Sequence, residues 1–265
     1  MDLGIAGRTV FFVGGSKGMG RVAARMLAAE GCRVAIVARG REAVDESVED
    51  ITSAGGQAIG VVADVTVQSD VAKAVATVRE AFGPPLIVVG QTKHIVPGDF
   101  ADIDDAQHYI DAFRTYTISQ LYLLKEVLPD MQAAGWGRYV HIGSATAKEP
   151  VGLIHHAVAN AARPSTVGLL KTVADENARF GITVNTVAPG WILTENVEEY
   201  TSKHLGLETD AERDSWAAES FGVPAGRMGR PAEIASLIVY LCSDLAGYIT
   251  GKWIEVDGGL HRSAF

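Results

Sequence analysis

The amino-acid sequence predicts a doubly wound α/β fold, a largely parallel sheet of about seven strands with helices on both faces. An apolar run, Thr9–Val13, passes through a glycine-rich turn into a stretch where Val22, Met26 and Leu27 recur at helical spacing. Later strands such as Arg33–Val37 are continuous apolar runs, as a parallel sheet buried on both faces requires. Strand and helix patterns then alternate almost to the C-terminus.

The turn Gly14-Gly15-Ser16-Lys17-Gly18-Met19-Gly20 sets the function. A strand, a glycine turn and a helix in that order place a helix N-terminus over the turn. Its exposed N–H groups and the positive end of its dipole can hold a pyrophosphate. Gly14, Gly18 and Gly20 let the chain turn tightly, approach a ligand closely and seat the helix on the sheet. Lys17 precedes a glycine and no Lys-Ser/Thr pair closes the motif, which excludes a P-loop. The turn reads as a dinucleotide site.

At 265 residues the chain suits one large domain, 1–265. Its formal net charge of −9 disfavours a nucleic-acid backbone or an anionic membrane as partner. Cys32 and Cys242 imply no disulfide framework or cysteine-rich metal site and read as small buried residues; no metal is expected. No signal segment opens the chain and no apolar run is long enough to span a bilayer, so a cytoplasmic protein is expected.

The second strand ends at Ala38-Arg39, where dinucleotide folds read the adenosine ribose. An acidic residue there would bind a 2′-hydroxyl. Neutral Ala38, followed by Arg39 and joined by Lys17, instead suits a 2′-phosphate, which arginine grips in bidentate fashion. NADP is therefore expected over NAD. A polar helix over 41–54, a strand Gln57–Val62, a helix carrying Val71, Val75 and Val78, and a strand Leu86–Val89 follow. Asp64, with Val65, stands after the third strand, a common place for an Asp that caps the next helix. A long amphipathic segment runs over 104–134, a fifth strand over Gly137–Ile142, and a sixth over Ile182–Val187. Pro231 suits the first turn of the last helix.

The Gly-x-x-x-Gly-x-Gly spacing, with Ser144 at the exit of the fifth strand and Ala188-Pro189-Gly190-Trp191-Ile192-Leu193-Thr194 after the sixth, resembles the short-chain dehydrogenase/reductase family over nearly the whole chain. The resemblance implies a Rossmann-type domain, NADP or NADPH as cofactor and a small organic substrate. It implies that Ser144 binds a substrate carbonyl, that Asp64 faces adenine, that the backbone near Ile192 meets the nicotinamide carboxamide, and that Thr194 touches the amide or a phosphate. It also implies a homo-oligomer, with a tetramer expected through Tyr248–Val256 and an apolar face of Leu237, Ile238 and Leu241.

Several positions depart from that family. Val13 stands where a Thr is usual, and Val89-Gly90-Gln91-Thr92 replaces Asn-Asn-Ala-Gly, leaving Gly90 as the close approach to cofactor. Tyr116 takes the place of an Asn in the proton relay, as a packed aromatic or as a phenol reaching into the site. His141 replaces another common Asn and reads as a satisfied core residue. The family's Tyr-x-x-x-Lys pair falls on Ala159 and Arg163; Tyr248–Lys252 is a decoy just before the last strand. Hydride arriving at a carbonyl carbon builds charge on oxygen that needs a donor and a proton. Ala159 supplies neither, while Arg163 keeps the positive charge beside the cofactor ribose. Pro164 predicts a helix start or kink there, because it removes a donor. His155 and His156 offer an imidazole. The expected function is an NADPH-dependent oxidoreductase on a carbonyl, imine or conjugated enone; the alternatives are a non-redox isomerase or lyase, or an inactive NADP-binding protein. Residues 191–229 read as a mobile lid or substrate-binding lobe.

Overall fold

Interior strands buried on both faces and helices buried along one stripe assemble the molecule. Its computed structural model describes residues 1–92, 96–150 and 155–263. Among them β1 (Thr9–Val13), β2 (Arg33–Ala38), β3 (Gln57–Val62), β4 (Pro85–Gln91), β5 (Gly137–Ile142), β6 (Ile182–Pro189) and β7 (Trp253–Val256) form one sheet. The strand order is β3-β2-β1-β4-β5-β6-β7, with every neighbouring pair parallel. The doubly wound architecture is thus as the sequence predicts.

Successive residues of β1 point to opposite faces, and each face meets its own helices. Val10 and Phe12 join a core with Leu27 of α1 (Gly18–Ala29), Val44 of α2 (Arg41–Ser53) and Ile234 and Ile238 of α9 (Pro231–Leu241). Phe11 and Val13 join a second core with Val75 of α3 (Gln68–Phe82), Leu123 of α5 (Ser119–Ala134) and Leu170 of α6 (Ala157–Asn177). Both cysteines are buried, and burial pushes the Cys32 thiol up to about 12. Pro231 opens α9, as expected.

Three expectations change. Ile238 and Leu241 are fully buried against α1 in the first core, so they offer no face to another subunit. The segment over 104–134 divides into α4 (Ala106–Phe113), a π-helical turn Arg114–Ile118, and α5. Pro164 neither starts nor ends a helix: α6 begins seven residues earlier and runs through it. The buried stripe Val158, Ala159, Ala162, Thr166 and Leu170 holds that helix together by packing. Ser165 Oγ beside the proline donates to the Ala162 carbonyl at 2.6 Å.

Candidate active site

The carboxyl ends of the strands open into a cavity of about 910 Å³. It lies at the switch point where the order reverses between β1 and β4, the usual ligand crevice of such sheets. Ser16, Lys17, Gly18 and Met19 line it. Gly14, also in the lining, has φ +76, a conformation that β-carbon-bearing residues rarely adopt. The N-terminus of α1 has no side-chain cap and no acidic residue in its first turn. Its orphan N–H groups are the kind a pyrophosphate satisfies. Lys17 and Arg39 are exposed in the same lining with Ala38, and neither has an ion-pair partner among the described residues. This donor set fits NADPH.

Two glycines expected at the cofactor do not line the cavity. A Cβ on Gly20 would lie 2.2 Å from the Gly14 carbonyl oxygen, so Gly20 serves to seat α1 beneath the turn. A Cβ on Gly90 would lie 2.4 Å from Gln120 Oε1, which accepts the Tyr139 hydroxyl at 2.6 Å. Gly90 therefore makes room for a buried hydrogen bond, and its successors Gln91 and Thr92 reach the cavity instead. Asp64 and Val65 line it too. Asp64 Oδ1 accepts from the Thr66 N–H at 2.9 Å and the Thr66 hydroxyl at 2.7 Å. It closes a turn without capping α3, whose N-cap is Val67.

Deeper in the cavity, β5 delivers Ser144 to the head of a 3₁₀ turn, Ala145–Ala147. Ser144 Oγ lies 3.3 Å from Thr146 Oγ1, to which Arg163 Nη1 donates at 2.5 Å. The Arg163 guanidinium sits 5.4 Å from the Tyr116 ring centroid, within cation–π range. Tyr116 is central in the π-helical turn, a device often found at functional sites. Thr166 of α6 pins it by donating to the Tyr116 carbonyl at 3.0 Å. Tyr116 lines the cavity and packs with Ala112, Val158, Ala159 and Ala162. Ala159 is fully buried in that cluster and does not line the cavity.

The histidines separate. His156 is the N-cap residue of α6 and lines the cavity. His155 is exposed, with Nδ1 2.7 Å from Asp99 Oδ1, and lies outside the lining. His141 does line it, but burial lowers its pKa from the ordinary 6.5 to about 4. It is a neutral group near pH 7.

The exit of β6 supplies Pro189, Gly190, Ile192 and Thr194. Thr194 is the N-cap residue of α7 (Glu195–Leu205) without a side-chain cap bond. Its Cγ2 lies 3.3 Å from where a Gly18 Cβ would stand, so this loop closes against the glycine turn. With α8 (Asp210–Phe221) the segment forms a lobe around Leu193, Ala217, Val223 and Met228. Trp191 packs on Trp216 and Phe221 at 5.0 and 4.7 Å.

Sequence reading missed Thr146, Glu149, Trp253 and His261, all in the lining. His261 Nδ1 is 2.7 Å from Asp257 Oδ2, and Nε2 is 3.7 Å from Glu149 Oε2. Burial opposes the charge of Asp257, but hydrogen bonds from the His261 ring and backbone and from the Gly259 N–H hold its carboxyl below the usual range. The signal was the Asp-x-x-x-His spacing directly after the last strand, since chain leaving a strand's carboxyl end enters the crevice.

A dinucleotide crevice with a serine at the exit of β5 and an arginine on the following helix defines a nucleotide-dependent oxidoreductase class with an atypical centre. A family model described as enoyl-(acyl carrier protein) reductase matches residues 13–261. The chain belongs to the short-chain dehydrogenase/reductase family. The 3-oxoacyl-(acyl-carrier-protein) reductase FabG of Pseudomonas aeruginosa is 30% identical over 262 residues, covering 98% of this chain and 100% of that protein. The L-sorbose reductase of Gluconobacter frateurii, solved with NADPH and L-sorbose, superimposes with TM-score 0.91 at 28% identity, over 99% of this chain and 100% of that one. An NADPH-bound short-chain oxidoreductase of Pseudomonas aeruginosa PAO1 containing an atypical catalytic centre gives TM-score 0.89 at 25% identity, over 98% and 99% of the two chains.

Proposed function

We propose that this protein is an NADPH-dependent reductase of a small carbonyl, imine or enone compound. One observation carries the reading: a single cavity joins the Lys17 and Arg39 cradle to the Ser144–Thr146–Arg163 network. The NADPH-bound relatives support the cofactor. Gly14, Ser16, Lys17, Gly18, Met19, Arg39, Asp64, Val65, Pro189, Gly190, Ile192 and Thr194 hold it, and when bound it supplies hydride. The chain's own residues manage the oxygen. Ser144 donates to the substrate oxygen as charge develops there, and the Arg163 guanidinium stabilises that charge. Tyr116, brought against Arg163 by the π-helical turn, is the proposed proton donor in place of the family's tyrosine. His156, at the head of α6, is the reserve acid–base group. The lobe over 191–229 closes the substrate end.

The protein is further proposed to act in the cytoplasm as a homo-tetramer. Edge strand β7 and the neighbouring exposed Tyr240, Leu245 and Tyr248 support contacts between copies. Among the described residues no helix is long and apolar enough to cross a membrane. Light scattering at micromolar concentration reads the assembly, and a monomeric mass refutes it.

The test of the chemistry is NADPH consumption against ketones, imines and enones by wild type and Ser144→Ala. Losing one such donor costs about 10²–10³ in turnover, with NADPH affinity unchanged. NADPH binding without consumption of any substrate, or undiminished turnover in the variant, refutes the proposal.

A further inference from the structure

The far end of the cavity carries an arrangement that neither hydride transfer nor cofactor binding uses. Glu149 follows the turn that begins at Ser144, and its N–H donates to the Ala145 carbonyl at 3.4 Å. Its side chain is 43% exposed and lines the cavity. Behind it stands His261, whose side chain is only 8% exposed. Nε2 has no hydrogen-bond partner in the structure and faces Glu149 Oε2 at 3.7 Å. Behind His261, Asp257 Oδ2 takes Nδ1 at 2.7 Å and the His261 N–H at 2.9 Å. Asp257 is itself 7% exposed. The Arg262 N–H donates to Glu149 Oε2 at 3.3 Å.

The acceptor Asp257 fixes the hydrogen of His261 on Nδ1. The imidazole is thereby oriented with Nε2 toward Glu149. A carboxylate at a cavity wall offers only acceptors, so it selects ligand groups that donate. It repels a phosphate or carboxylate on the substrate. A hydroxyl donates to such an acceptor without carrying a charge of its own.

We propose that Glu149 is the specificity-determining residue of the substrate end, accepting hydrogen bonds from hydroxyl groups of a neutral, hydroxylated carbonyl compound. His261 and Asp257 are its positioning residues. This rests on the reductase reading for the carbonyl, but the recognition itself is a binding event.

Calorimetry on the NADP⁺-loaded protein therefore tests it without turnover. The probes are erythrulose, a four-carbon ketone with hydroxyls on its other carbons, and 2-butanone, which has the same carbon chain. Wild type is expected to bind erythrulose at least about tenfold more tightly. Glu149→Ala should abolish that preference, and Glu149→Gln, which keeps one acceptor oxygen, should retain part of it. His261→Asn should weaken erythrulose binding while leaving 2-butanone and NADPH affinity unchanged, with thermal melting checking that each variant folds. In turnover assays the loss should appear in KM rather than kcat. Equal binding of the two probes, no detectable erythrulose binding, or a preference that survives Glu149→Ala would overturn the proposal. If the preference is present and lost in Glu149→Ala while NADPH is never consumed, the reductase reading fails and this one stands.

Discussion

His141 faces the catalytic crevice from β5, yet burial holds its imidazole neutral, and that has a measurable cost in acid. In the unfolded chain the ring titrates near the ordinary 6.5, whereas in the folded protein it titrates at about 4. Its depressed folded value means that its contribution is fully present above pH 6.5 and is lost as pH falls toward 4, because the unfolded chain then binds the extra proton. Each pH unit between the two values weighs about 1.36 kcal/mol, so the full gap is about 3 kcal/mol, of which about 2 kcal/mol is lost by pH 5. The contact available to the ring, Thr186 Oγ1 at 3.5 Å from Nδ1, is too long to offset desolvation. The assay is urea unfolding of wild type and His141→Asn at about pH 7.5 and pH 5. Other groups titrate in both proteins and cancel in the comparison. Wild type should lose about 2 kcal/mol more than the variant between the two conditions. An equal loss in both would show that the folded protein protonates His141 as readily as the unfolded chain does, and the argument that burial keeps the ring neutral would collapse.

Two variants probe the cofactor cradle and the packing behind Tyr116. Ala38→Asp with Arg39→Ala should shift preference from NADPH toward NADH, since a charge-assisted contact contributes about 1.5–3 kcal/mol, more than tenfold in affinity; equal binding of both cofactors by wild type in calorimetry refutes the assignment. Ala159→Tyr, which restores the family residue, should destabilise the protein by about 1–3 kcal/mol through overpacking against Tyr116. Adding Tyr116→Ala should recover the loss in urea melts, and no recovery would show that the two side chains do not compete for space.

The fold was legible because interior strands such as β1 and β2, buried on both faces, are continuous apolar runs, while α1 carries its apolar residues at helical spacing. The glycine turn that lines the cavity was legible for a local reason: such a motif works through the backbone of a few consecutive residues. The substrate end was not, because its residues converge from distant places. Glu149 follows β5, Trp253 opens β7 and His261 lies beyond it, and no spacing rule links them. Pro164 misled because local propensity was weighed without the buried stripe that overrides it. Gly90 misled because its neighbour across the sheet, Gln120, could not be read from a strand motif.

The proposed role of Tyr116 requires that no void stand where the family's tyrosine would be. Here the small Ala159 is fully buried against Tyr116, so the volume is occupied. A π-helical turn is a strained way to carry a side chain, yet this one is held in place. Thr117 Oγ1 lies 2.5 Å from Ser165 Oγ and 3.0 Å from Thr166 Oγ1, and Thr166 donates on to the Tyr116 carbonyl. All three hydroxyls lie between the turn and α6, the helix that carries Ala159 and Arg163. Arg163 then bridges the arrangement to the Ser144 turn through Thr146. These bonds tie the π-helical turn to α6 and α6 to the Ser144 turn, which is the rigidity that the proposed role of Tyr116 requires.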